Sequence, residues 1–226
     1  METYLPLDVI PATISRAVAE LSDWFVIGGQ AVRCFCPYRP SRDVDFGVSK
    51  ANDLDEFLAA LDSRGKVEIL ERSPDTVHLR FDGVKVSVFV LERLAPHVER
   101  QRLTVTGILA TKMHAILDRG TRRDFFDLYV TLQVHQLGVA ECIAAVRKVF
   151  TQSVHEPLLL KALTYFEDAD REALLPGEGP ADWQTVKEFF MTRVGQLLIP
   201  PGRKLEIQQH VVDVRENAEP TPFERG

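Results

Sequence analysis

The chain has 226 residues, 45% hydrophobic and 27% charged, with a formal net charge of −6. That composition is ordinary for a globular protein and long enough for one large domain or two small ones. No apolar run approaches the roughly 20 residues that cross a bilayer, and Met1 to Pro11 lacks the basic-then-apolar order of a secretory signal, so no membrane partner and a cytoplasmic location are expected.

Leu7 to Leu21 reads as one amphipathic helix, with Ile10, Ile14, Val18 and Leu21 at helical spacing. Trp24 to Ile27 is a short apolar run, as in a buried strand. Gly28-Gly29 breaks it, and Gln30 to Cys36 starts a short helix. Asp43 to Val48 alternates as a strand. Ala51 to Arg64 is a helix with Leu54, Phe57, Leu58 and Leu61 on one face, ended by Gly65. Strands follow at Val67–Leu70, Val77–Phe81 and Val84–Leu91, the last two joined by the hairpin signal Asp82-Gly83. From Thr106 the pattern is helical, near Thr106–Asp118, Arg122–Leu137, Val139–Phe150, His155–Asp168 and Asp182–Leu198. In the last of these Trp183, Val186, Phe189 and Phe190 should form a buried stripe. After Pro200-Pro201 the chain is polar. The fold class is therefore α/β (α+β): an α/β core over 1–105, an all-α half over 106–200 and a polar tail over 201–226.

The negative balance gives no overall attraction for nucleic acid, so any polyanion must meet a local basic patch. The richest runs through Arg93, Arg100, Arg102, Lys112, Arg119, Arg122 and Arg123, and a weaker one holds Arg33, Arg39 and Arg42. Cys34, Cys36 and Cys142 lack the four-ligand pattern of a structural zinc and read as small packed hydrophobes.

Asp43 and Asp45 stand two apart on a strand, so both carboxylates point to one side. Asp is depleted in strands, and a magnesium ion, which takes one or two carboxylates plus substrate phosphates, gives a reason for the pair. A solvated strand end is the plainer alternative. Gly28-Gly29 lets the backbone come close to a phosphate beside that metal seat.

The run GGQAVRCFCPYRPSRDVDFGV resembles the Gly-Gly turn and Asp-x-Asp strand of the polymerase-β-like nucleotidyltransferase superfamily. Arg39-Pro-Ser41-Arg-Asp43-Val-Asp45 is similar to the version in AbiEii/AbiGii-type toxins, and ILATKMHAILDRGTRRDFFDLYVTL resembles a second segment of that group. The resemblance spans residues 22 to 192. It implies a nucleotidyltransferase-like mixed sheet with flanking helices and transfer of a nucleoside monophosphate from an NTP to a hydroxyl. It further implies Mg²⁺ (Mn²⁺ as an alternative) on Asp43 and Asp45, with Gly28, Gly29, Ser41, Arg42 and Arg122 around the nucleotide. Lys112 would lie near the triphosphate. As partners it implies a tRNA acceptor and a cognate antitoxin. The superfamily's third strand carboxylate is absent: Ser87 takes its place, and Asp124 is the substitute proton acceptor that the group suggests. Thr121-Arg-Arg-Asp124 also spells a capping box, a structural role for the same acid. Two rival readings stay open, a small-molecule nucleotidyltransferase of the antibiotic-modifying kind and a degenerate nucleotide- or partner-binding module.

Overall fold

A computed structural model of the chain describes residues 4–41, 43–151, 155–179 and 181–199; Arg42 and the tail 201–226 lie outside the described residues. The first expected helix is two helices, α1 (Pro6–Val9) and α2 (Ala12–Val18). Pro11 is the cause: its ring disfavours helical backbone at the preceding residue, and Ile10 is extended at φ −89°, ψ 160°. Ile10, Ile14 and Val18 remain buried, so the apolar face survives the break.

Next come β1 (Phe25–Val26), α3 (Gly28–Arg33), β2 (Val44–Val48), α4 (Ala51–Asp62), β3 (Val67–Arg72), β4 (Thr76–Phe81) and β5 (Val84–Val90). A 3-10 turn over Glu92–His97 leads to β6 (Val98–Glu99) and β7 (Arg102–Leu103), strands too short to leave a periodic signal. The sheet is mixed, in the order β3-β4-β5-β2-β1-β7-β6. β2 runs parallel to β5, and β1 parallel to β7. The hairpin at Asp82-Gly83 forms as expected, with φ of 47° and 84° at the two turn residues. Trp24, Phe46 and Phe57 stack edge to face and tilted beneath the sheet, with ring centroids 5.4 and 4.8 Å apart.

The helical half comprises α5 (Val105–Asp118), α6 (Arg122–His135), α7 (Val139–Phe150), α8 (Glu156–Leu163), α9 (Glu167–Asp170) and α10 (Asp182–Leu198). The helix expected from His155 to Asp168 is split into α8 and α9. Thr164 leaves helical geometry, its hydroxyl bonding the Leu160 and Lys161 carbonyls. Phe166 then turns inward against Phe125 and Trp183. Along α10, Trp183, Val186 and Phe190 are buried, whereas Phe189 is only partly buried, edge-on to Tyr129. α5 packs on α6, α7 and α8 and also reaches α3 and β7. It is therefore the helix that brings side chains from the helical half to the sheet. Cys34 and Cys142 are buried and Cys36 is half-buried, all as free thiols. Among the described residues no helix is long and apolar enough to cross a membrane.

Candidate active site

Three adjacent strands place a row of polar side chains on one face of the sheet. Asp45 on β2 is registered opposite Ser87 on β5, and Ser87 opposite His78 on β4. His78 Nδ1 lies 2.9 Å from Ser87 Oγ. The row opens into a cleft of about 310 Å³ that is also lined by Gly28, Thr111, Lys112 and Arg119. Gly28, Asp45, Ser87 and Lys112, expected near the nucleotide or the metal seat, thus meet in one place. His78 was not expected. Its signal was present in the hairpin, because a two-residue turn at Asp82-Gly83 fixes the pairing of His78 with Ser87.

Gly28 stands where only glycine fits. Its φ is +59°, and a Cβ there would lie 2.8 Å from Asp45 Oδ2. The backbone therefore presses against the carboxylate. A Cβ on Gly29 would lie 2.9 Å from Arg39 Nη2 and 3.2 Å from Ser41 Oγ, so the second glycine makes room for the loop before β2. Ser41 Oγ and Gln30 Nε2 both donate to the Asp43 carbonyl, at 3.2 and 3.3 Å, and hold that residue at the start of the strand. Asp43 is exposed and precedes β2 rather than lying in it; Val44 is fully buried and anchors the strand.

Burial pushes the Asp45 carboxyl above its ordinary range. Lys112, Ser87 and Arg119 pull it down, and the nearby Asp43 charge pushes it up. A cation between the two acids would relieve that repulsion. Among the described residues no group of three or more His, Cys, Asp or Glu side chains is arranged around a metal. A site of two carboxylates still fits magnesium, which usually completes its shell with water and phosphate oxygens.

Behind Asp45 lies a buried ionic network. Lys112 Nζ is 2.6 Å from Asp127 Oδ2 and 3.3 Å from Asp124 Oδ1. Asp127 also accepts from Arg39 at 2.8 and 3.0 Å and from the Tyr38 hydroxyl. Besides Lys112, its partner lies far away in sequence, Arg39 on the loop before β2. Asp127 therefore ties α6 both to α5 and to the loop that carries Ser41 and Asp43. Arg39, Lys112 and Arg119 outnumber Asp124 and Asp127 by one positive charge, and Lys112 and Arg119 act on Asp45.

Asp124 is placed differently from expectation. Its carboxylate accepts from Arg119 Nε and Nη2 at 2.8 and 3.0 Å, from the Thr121 hydroxyl at 2.5 Å and from Lys112. Burial alone would raise its pKa, but Arg119, Lys112 and Thr121 together hold it well below the usual carboxylate range. A carboxylate so occupied is a poor proton acceptor. The capping box does not form either: the Thr121 side chain bonds Asp124 and caps no backbone N–H.

Arg122 lies outside the cleft lining. It is buried in the helical half, with Nη1 3.2 Å from Glu178 and its guanidinium 5.1 Å from the Trp183 ring. That commitment holds it in the helical half rather than at the cleft. The two basic patches disperse in the same way. Lys112 and Arg122 are internal, Arg102 stacks on Phe35 at 4.6 Å, and Arg33 holds the Val9 carbonyl at 2.9 Å.

Comparison with known proteins identifies the family and the fold. The family model of the nucleotidyl transferase AbiEii toxin, of type IV toxin–antitoxin systems, matches residues 15–196. The Aquifex aeolicus (strain VF5) protein aq_aa25, itself uncharacterized, is 30% identical over 188 residues, covering 78% of this chain and 89% of that one. A candidate nucleotidyltransferase of Helicobacter pylori superposes with a TM-score of 0.51 at 16% identity, covering 82% of this chain and 92% of that one, and so shares the fold. The antibiotic-resistance factor ANT(2'')-Ia superposes with a TM-score of 0.49 at 10% identity, over 64% of this chain and 91% of that one.

Proposed function

The chain belongs to the AbiEii family of nucleotidyl transferase toxins, and from that membership we propose that it transfers a nucleoside monophosphate from a magnesium-bound NTP to an RNA hydroxyl. The acceptor class is tRNA, and the partner is a cognate antitoxin. The observation that carries the reading is the convergence of the Gly28 backbone, the Asp45 carboxylate and the Lys112 ammonium in one cleft. Asp43 and Asp45 would hold Mg²⁺, or Mn²⁺ in the same oxygen set. The ion, when bound, neutralises charge that develops on the phosphates.

The chain's own groups do the rest. Lys112 and Arg119 offer positive charge to the triphosphate from the far wall of the cleft. Asp124 and Asp127 are positioning residues that hold Lys112 and Arg119 in place. Gly28 lets the phosphates approach the backbone, while Gly29 and Ser41 shape and hold the loop that carries Asp43. The acceptor oxygen attacks the α-phosphorus, the bond to pyrophosphate breaks, and the acceptor proton passes to a base. With Asp45 on the ion and Asp124 saturated, His78 is the cleft-lining side chain left to take that proton.

The test is incubation with each labelled NTP and total RNA, with and without a chelator. Label on RNA that disappears with the chelator is the expected result. Label on a small molecule alone would move the acceptor to the antibiotic-modifying class. A folded protein that transfers no label to anything would overturn the reading.

A further inference from the structure

A second cleft, of about 630 Å³, lies beside the candidate active site. The two clefts are continuous: Ile27, Phe89, Thr111, Ala115 and Arg119 line both. The smaller one is polar and holds the side chains assigned to the metal and phosphates. The larger one is walled by Phe89 and Leu91 at the end of β5, by His114 on α5 and by Phe150 at the end of α7. His114 and Phe150 form a tilted pair with ring centroids 5.5 Å apart. Arg93 Nη1 donates to the Phe150 carbonyl at 3.1 Å and closes the rim.

We propose that this second cleft receives the base of the nucleotide substrate. The proposal rests on the nucleotidyl-transfer reading and extends it to the part of the substrate which that reading leaves unplaced. A nucleotide has one charged end and one flat aromatic end, joined by a short sugar. The protein offers a polar cleft joined directly to an apolar cleft with aromatic walls, in the same order. The cleft's backbone is largely spoken for: the Leu91 N–H bonds the Val48 carbonyl at 2.7 Å, and the Val90 N–H bonds the Asp75 carbonyl at 2.8 Å. Thr111 Oγ1 is committed to the Gly107 and Ile108 carbonyls. Recognition there is by stacking and shape, and Glu92 and Asp118 on the wall are the groups left to accept hydrogen bonds from a base.

The experiment compares equilibrium binding of each Mg²⁺-NTP with that of Mg²⁺-tripolyphosphate, which has the charged end and no base. Wild type is measured beside His114→Ala, an exposed position, and Phe150→Leu, which keeps an apolar side chain at a half-buried one. Stacking on one side chain is worth about 1–3 kcal/mol, or roughly fivefold or more in affinity. Wild type should bind at least one NTP more tightly than tripolyphosphate. Both variants should lose about fivefold or more for that NTP and keep the tripolyphosphate affinity. Equal binding of NTP and tripolyphosphate by wild type would overturn the proposal and leave nucleotidyl transfer standing. Unchanged NTP binding with loss of labelling of the acceptor would assign the cleft to the acceptor instead and equally overturn it. A wild type that binds neither ligand would overturn the nucleotidyl-transfer reading itself, and this proposal with it.

Discussion

Asp127→Asn removes one negative charge from the centre of the buried network while keeping the side chain's shape. Asp127 is fully buried and accepts from Lys112 at 2.6 Å and from Arg39 at 2.8 and 3.0 Å. Breaking a buried pair by neutralising one partner typically costs about 3–5 kcal/mol, because the other charge is left uncompensated. Here the lower end applies, since Lys112 keeps Asp124 at 3.3 Å and the Arg39 side chain is 9% exposed. The expected cost is about 3 kcal/mol at neutral pH, or roughly 6–12 °C in Tm for a chain of this size. The pH dependence has a definite sign. Burial would raise the Asp127 pKa, but Lys112 and Arg39 hold it below its ordinary value of 3.8. A carboxyl with a depressed folded pKa stabilises the fold fully above its unfolded value and loses that contribution as the pH falls through the folded value. The gap between wild type and variant should therefore be constant from pH 7 to about 5 and shrink below about 4. Urea midpoints measured across that series check it. A variant as stable as wild type at pH 7, or a gap that widens on acidification, would refute the reasoning.

Asp43→Ala and Asp45→Ala should each abolish transfer of labelled nucleotide, with Tm unchanged or slightly higher. Burial and the Asp43 charge disfavour the ionised Asp45 in the folded protein, so its removal relieves rather than weakens the fold. Gly28→Ala should cost roughly 1–2 kcal/mol from its left-handed backbone and lose transfer activity as well, because the new Cβ would lie 2.8 Å from Asp45 Oδ2; a normally active variant would remove Gly28 from the site. Phe190→Ala should cost about 3–5 kcal/mol in denaturant unfolding, since Phe190 is fully buried, and Phe189→Ala clearly less. Asp124→Asn should lower the rate through a loosened Lys112 and Arg119 without moving the pH–rate profile; loss of the acidic-limb pKa would return Asp124 to the role of proton acceptor.

What the sequence made legible follows from how local each signal is. The strand that carries Val44, the Asp82-Gly83 hairpin, and the helices from Val139 to Phe150 and from Asp182 to Leu198 rest on neighbours within a turn or a strand pair, and they appear where expected. The break at Ile10 was readable too, because Pro11 restricts the residue before it, but four apolar residues at helical spacing concealed the break. Arg122 and Asp127 could not be read this way. Their partners, Glu178 and Arg39, are 56 and 88 residues away in sequence. A charged residue on a helix looks solvated until the tertiary partner is known. Phe189 and Phe190 show the limit of a period: the spacing gave the face, but adjacent residues cannot share it equally.

The missing strand acid is the point on which the sequence and the structure most need each other. Ser87 sits directly beside Asp45, whose ionised form burial already disfavours and Asp43 disfavours further. A third carboxylate at Ser87 would add like charge at the most crowded point of the site. The positive charge of Lys112 and Arg119 is already shared with Asp124 and Asp127 and acts on Asp45, so a further acid would compete for it. A hydroxyl at that position adds no charge, favours the ionised form of Asp45, and bonds the imidazole next to it. The row Asp45–Ser87–His78 thus places an imidazole one strand outward from Ser87, away from the carboxylates that would bind the ion. The helix acid Asp124 has the opposite design, with its carboxylate engaged by Arg119, Thr121 and Lys112 and its proton affinity suppressed. The contrast is physical: Asp124 and Asp127 are buried among cations that keep them charged, whereas His78 pairs with the Ser87 hydroxyl apart from that network.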